Sequence, residues 1–264
     1  QLLKCPMLIL LSPAKTLAPS APAPSQFSGA LTQAEGLDVA TSIVTALKTW
    51  SQEELAQRMK LSATLAEKVH RWHQGWQPDS DFAAGWTFKG DAFKSLDLSS
   101  ASEEVVRRAQ LHLRIVHAVY GLLRPLDQYA PVRLEMAQPW SPTADHANMH
   151  QHWKTRLPDM VGRHLVETGQ PWILNLASAE YSQTALHGMP SDKVVTCQFL
   201  EDKSGKLRSV SAFAKGARGA MAHHVLQHNL QSPEELVGFR ELGYTHNPEK
   251  SAPGLLVFTR PSRP

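Results

Sequence analysis

Apolar residues recur along this chain at two spacings, and each spacing predicts a different element. Residues 7–12 (MLILLS) are an unbroken apolar run closed by Pro13, the mark of a short buried strand. From about Gln33 the spacing turns helical, with Val39, Ile43, Val44 and Leu47 on one face. Two short helices are predicted over 51–59 and 62–74, joined by the tight turn Met59-Lys60-Leu61-Ser62, and Ser51 stands at capping-box distance from Glu54. Residues 102–123 read as the strongest helix. Ser102 caps it, Glu103 and Glu104 complement its positive end, and Val105, Ala109, Leu113, Val116 and Tyr120 repeat along one side. Arg124-Pro125 stops it, because the residue before proline is pushed out of the helical region.

A further helix is predicted over 148–167, ended by Gly169 and Pro171. Strands follow at 172–176, 193–200, 207–214 and 255–259, with 202–205 as the turn of a hairpin. Residues 216–229 are helical, and Ser232-Pro233-Glu234-Glu235 opens a last helix. Helices and strands interleave without an internal repeat. This predicts an α+β fold: one compact domain over 1–264, a mixed β-sheet wrapped by helices, with a helix-hairpin-helix-like element near the N-terminal third. Residues 1–6 read as an extension, and Met7 as an alternative start to a chain that begins at Gln1. Residues 16–34 carry no charge and hold Pro19, Pro22 and Pro24, an extended surface loop.

Composition narrows the class. With 42% apolar and 19% charged residues the chain is globular and not disordered. Its two cysteines, Cys5 and Cys197, are too few for a disulfide framework or a Cys-rich zinc site, which points to a reducing compartment such as the cytoplasm and to no disulfide partner. The longest apolar run near the start is too short to span a bilayer or to act as a signal-peptide core, so a soluble protein with no membrane partner is expected. A formal net charge of +3 does not by itself indicate a polyanion partner. Distribution says more. Lys203, Lys206, Arg208, Lys215 and Arg218 cluster without an acid among them, and Arg107, Arg108, Arg114, Arg124 and Arg133 stand against Asp127 alone.

Three segments can carry chemistry. Ser12-Pro13-Ala14-Lys15-Thr16 follows the first strand, and its lysine between two hydroxyls suits a phosphate or carboxylate, although the glycines of a phosphate loop are missing. Asn175-Leu176-Ala177-Ser178-Ala179-Glu180-Tyr181 follows the strand at 172; Ser178 and Glu180 suit helix capping, while Asn175 and Tyr181 are left unexplained. In 114–135, Arg114, Arg124 and Arg133 are embedded in apolar sequence and need partners, because an unpaired desolvated guanidinium costs several kcal/mol. Asp127 and Glu135 provide for two of the three, leaving either a structural ion-pair network or an anionic ligand. His224 and His228 share a helix face but lack the Glu of a zinc-protease motif, Cys197 alternates within a strand as core filler, and Ser178 sits in no nucleophile elbow. No motif specifies a metal or a cofactor.

Several motifs occur in one order: Ser12-Pro13-Ala14-Lys15-Thr16-Leu17, Phe88-Lys89-Gly90-Asp91, His112-Leu113-Arg114, Tyr120-Gly121-Leu122-Leu123-Arg124-Pro125-Leu126-Asp127, Arg133-Leu134-Glu135-Met136, Asn175 to Tyr181, and Ala214-Lys215 with Ala217-Arg218-Gly219. In these the chain resembles the peroxide stress protein YaaA family over nearly its whole length. The resemblance implies a cytosolic, single-domain protein linked to survival of hydrogen peroxide by limiting free iron and binding duplex DNA. It brings no established catalytic residue. The chain departs from the family at Ala92-Phe93, Val132 and Gln183, where two tyrosines and a lysine are usual.

Two functional expectations follow. A DNA-binding stress protein would use Lys60 in the helical turn with Lys203, Lys206 and Arg208. An enzyme on a small anionic substrate would bring Lys15, Thr16, Arg114, Arg124, Arg133, Asn175, Ser178 and Arg218 around an anion, with Glu180, Tyr181 and Lys215 as catalytic groups. A metal-sequestering protein is a third class, for which the sequence offers no compact ligand set.

Overall fold

The first apolar run forms β1 (Met7–Leu11), and all five of its residues are buried. A strand buried on both faces belongs inside a sheet covered on both sides. The computed structural model describes residues 7–18 and 24–261. Its chain continues through β2 (Thr16–Leu17), α1 (Leu37–Leu47), α2 (Gln52–Met59), α3 (Ala63–Gln74), α4 (Ala84–Thr87), β3 (Phe88–Lys89), α5 (Asp91–Leu96) and α6 (Glu103–His112). Then come β4 (Leu113–His117), β5 (Gly121–Leu123), α7 (Met149–Trp153), α8 (Arg156–Thr168), β6 (Trp172–Leu176) and α9 (Ala179–Ala185). Last are β7 (Val194–Lys203), β8 (Lys206–Arg208), α10 (Ser211–His228), β9 (Thr245–His246) and β10 (Leu255–Pro261). The extension expected at 1–6 and part of the 16–34 segment lie outside the described residues. The described part of that segment is tied down: Thr16 and Leu17 pair with Lys89 and Phe88, and Phe27 is buried.

Eight strands share a mixed sheet in the order β5-β4-β1-β6-β7-β10-β9, with β8 added on β7. The five strands from β4 to β10 across the middle run parallel, and β5, β8 and β9 are antiparallel additions. The chain leaves β1 for β4 on one side, then crosses back over β1 to β6, β7 and β10 on the other. Such a reversal leaves an opening between the carboxyl ends of the two strands where the order switches, here β1 and β6.

Several predicted elements are corrected. The helix expected over 102–123 ends at His112, and its second half is the β4–β5 hairpin. An apolar run that is buried on every side has no periodicity to separate helix from strand, and Ile115-Val116 gain more from pairing beside β1 than from another helical turn. Gly121 turns the corner at φ 73°, where a Cβ would also stand 2.8 Å from the Trp153 ring. The helix at 148–167 is two, broken at Lys154 and Thr155, because Pro158 is tolerated only in a first turn. The strand expected at 207–214 stops at Arg208, and α10 begins at Ser211, five residues early. The last predicted helix is a 3₁₀ segment, Pro233–Gly238.

The two short helices form as expected. Ser51 completes its capping box with Glu54, Lys60 turns the corner at φ 52°, and Ser62 receives the amide of Leu65. The 202–205 turn also forms, with Ser204 and Gly205 at positive φ between β7 and β8.

Candidate functional site

A cavity of about 400 Å³ opens at the switch point, over the carboxyl ends of β4, β1 and β6. Its floor is made by Leu11, Leu176 and two serines. Ser12 Oγ receives the Ser178 amide at 2.8 Å and lies 3.2 Å from Ser178 Oγ, so the ends of β1 and β6 are tied by side chains where their ladder stops. Ser178 stands at the start of α9 but makes no side-chain cap there; its hydroxyl is turned to Ser12 instead. A second wall comes from α5 and α10. Gly219 makes that wall possible, because a Cβ there would stand 1.8 Å from the Ala92 carbonyl oxygen, so only glycine lets the two helices approach.

Of the residues expected around an anion, Lys15, Thr16, Arg133, Ser178 and Arg218 line this cavity, as do Glu180, Tyr181 and Lys215. Lys15 Nζ pairs with Glu135 at 2.8 Å, and Arg133 Nη2 reaches the other oxygen of Glu135 at 3.4 Å. Glu180 Oε1 accepts the amide of Ala137 at 3.1 Å. Tyr181 is buried, and burial with Glu180 and Glu135 nearby raises its phenol far above the ordinary range. It is therefore protonated at neutral pH and serves as a hydrogen-bonding group, which leaves Glu180 as the better placed of the two for proton transfer. Arg218 is half-buried and, among the described residues, has neither an ion pair nor a hydrogen-bond partner; burial lowers its pKa. Lys215 is exposed and likewise unpartnered among the described residues.

Arg114, Arg124 and Asn175 do not line the cavity. Arg114 is 3% exposed, donates to the carbonyls of Gln110 and Leu113, and lies 3.3 Å from His164 Nδ1. His164 in turn pairs with Glu35 at 3.1 Å, and that contact holds the Glu35 carboxyl down at about 2. Arg124 pairs with Asp127 at 2.9 Å and donates to the Gln33 carbonyl. Asp127, 1% exposed, also accepts the Arg124 amide and the Thr32 hydroxyl, and burial still raises its pKa. Both arginines thus belong to structural networks, and the anion role expected of them is not where the cavity is. Asn175 sits one residue inside β6, where it accepts the Ala177 amide and donates to Thr196, shaping the strand end from beneath.

Sequence reasoning missed Lys89, Asp91 and Lys94, which line the cavity, and His117 at the end of β4. The quoted run Phe88-Lys89-Gly90-Asp91 carried the first two, but nothing in it showed that β3 pairs with β2 beside Lys15. His117 was hidden inside the misread helix. Its Nδ1 accepts the amides of Val119 and Tyr120, which fixes the Nε2–H tautomer, and burial lowers its pKa to about 3. The groups expected on DNA lie elsewhere: Lys60 is exposed at the turn between α2 and α3, and Lys203, Lys206 and Arg208 are exposed on the β7–β8 hairpin. Among the described residues no three His, Cys, Asp or Glu side chains gather as metal ligands, and no helix is long and apolar enough to cross a membrane. Cys197 is buried and unpaired, and Cys5 lies outside the described residues.

The family model described as peroxide stress protein YaaA matches residues 7–250, which include every wall of the cavity. The chain belongs to the YaaA peroxide-stress family. It is 37% identical over 258 residues to a UPF0246 protein of Hahella chejuensis, covering 96% of this chain and 99% of that one. A UPF0246 protein of Verminephrobacter eiseniae is 35% identical over 260 residues, with 97% and 99% coverage, and one of Paracidovorax citrulli is 34% identical over 258 residues, with 96% and 98%. The YaaA match runs from β1 to β9 and so covers every strand of the mixed sheet but β10, not one motif.

Proposed function

We propose that this YaaA-family protein serves the response to hydrogen peroxide by binding, and where Glu180 moves a proton by processing, a small phosphate- or carboxylate-bearing molecule in the cavity over β1 and β6. The observation that carries the reading is Arg218: a half-buried guanidinium without a partner among the described residues, facing a cavity large enough for a small molecule. Six cations line that cavity against three carboxylates, so its field favours an anion. Lys15, Thr16, Arg133, Ser178 and Arg218 would hold the ligand, with Tyr181 as a donor and Lys215 as a further cation facing its negative charge. Limitation of free iron, which the family resemblance implies, would then act through that ligand. Calorimetric titration of the full chain with inorganic phosphate tests this reading. Millimolar binding is expected, weakened at least ten-fold in Arg218→Ala; no heat and no thermal shift would overturn it.

A second reading, binding of duplex DNA, is favoured by the β7–β8 hairpin, which presents Lys203, Lys206 and Arg208 to solvent. Affinity measured at two salt concentrations would fall steeply, and changing all three to Ala would flatten that dependence. Absence of binding at low salt would end this reading.

A further inference from the structure

The cavity is lined by two walls of opposite character. On one, Lys215 and Arg218 of α10 have no partner among the described residues, and Asp91 of α5 faces only Lys94, at 4.0 Å with both side chains exposed. The close packing of Gly219 on Ala92 keeps α10 and α5 together, so these cations form one surface. On the other wall, Glu135 engages both of its oxygens, one with Lys15 and one with Arg133, and neutralises much of their charge. Glu180 uses one oxygen on the Ala137 amide and leaves Oε2 without a partner among the described residues. Tyr181 lies beside Glu180 and Glu135. Between the walls the floor is the uncharged Ser12–Ser178 pair.

The geometry points to a phosphomonoester with a hydroxyl or amino group at its far end: the phosphate meets Lys215 and Arg218, and the distal donor meets Glu180 Oε2. This rests on the anion-binding reading and adds a direction to it. A dianionic phosphate suits two free cations, whose field is not cancelled by an ion pair. A second anion at the far end would face Glu180 and Glu135, whereas a donor there gains a charge-assisted hydrogen bond. A site built to accept a donor rejects an analogue that lacks one, because its own acceptor is then left unpaired.

Three ligands of similar size test this on the full chain by calorimetry: glycerol 3-phosphate, phosphoethanolamine and 2-phosphoglycolate, with inorganic phosphate as the reference. Glycerol 3-phosphate and phosphoethanolamine are expected to bind at least ten-fold more tightly than 2-phosphoglycolate. Glu180→Gln, whose side-chain oxygen still accepts from Ala137, is expected to shrink that preference below three-fold. Lys215→Ala, at an exposed position that carries no fold contact, is expected to weaken all four at least five-fold. Equal or tighter binding of 2-phosphoglycolate by the unaltered protein, or a preference that survives Glu180→Gln, would overturn the orientation while anion binding stands. Failure of all four ligands would remove anion binding itself, and the orientation with it.

Discussion

Arg114 and Arg124 arise from the same kind of sequence as Arg218, cations set among apolar residues, yet the fold treats them oppositely. Arg114 and Arg124 are enclosed by partners supplied from residues 33–35, 110–127 and 164, so their charge is settled before any ligand arrives. Arg218 stands beside Gly219, where α10 packs on Ala92 of α5, and among the described residues no acid pairs with it. Burial of a guanidinium therefore does not mark a site; what separates the two regions is whether the local chain closes the charge balance.

The comparison breaks most visibly at Asp127. Replacing it with Ala leaves Arg124 and Thr32 without their acceptor, and a loss of about 3–5 kcal/mol in urea unfolding is expected, with anion affinity unchanged in whatever folded fraction remains. A comparable loss on Arg218→Ala would mean that Arg218 is structural too. Next comes acidification. His73, which lies 3.1 Å from the Arg133 carbonyl and so braces the cavity wall, has its pKa lowered to about 4 by burial, against an ordinary 6.5. The folded state resists its protonation while the unfolded chain accepts it, so stability falls as pH drops from 6.5 towards 4, by about 2–3 kcal/mol from this residue. His117 and His152 are shifted the same way, to about 3 and 4, and steepen that fall, and a thermal melt series that stays flat between pH 6.5 and 4 would contradict it.

Gly219→Ala is expected to cost about 1–3 kcal/mol and to abolish anion binding along with it, since α5 and its side of the cavity must move off α10. Retained binding would show that the wall is not fixed by this contact. The smallest effect sharpens the contrast: Arg218→Ala is expected to leave stability within about 0.5 kcal/mol while anion affinity drops.

Much of the sheet was legible because its strands are short apolar runs bounded by proline, as with Pro13 after Leu11 and Pro171 before Trp172. The stretch from Leu113 to Leu123 was not, since complete burial removes the alternation that marks a strand. Lys15, Glu180, Tyr181 and Arg218 could be read as site candidates because each sits beyond a strand end or in an apolar helix. Arg114 could not be excluded in the same way: its partners at His164 and Glu35 lie 50 or more residues away, and only the return of α8 brings them near. His117 was out of reach for the same reason as β4 itself.

The link between Lys15 and Glu135 has a consequence for occupancy. The lysine side chain is 61% exposed, against 26% for Glu135, and solvent on the ammonium screens the pair, so holding it together is worth about 1 kcal/mol or less. Glu135 thus works as a resident counter-ion, keeping the ammonium parked at the rim at almost no energetic cost. An arriving anion therefore has only to outbid one carboxylate to gain the ammonium, so the charge at this rim is lent to Glu135 and not spent on the fold.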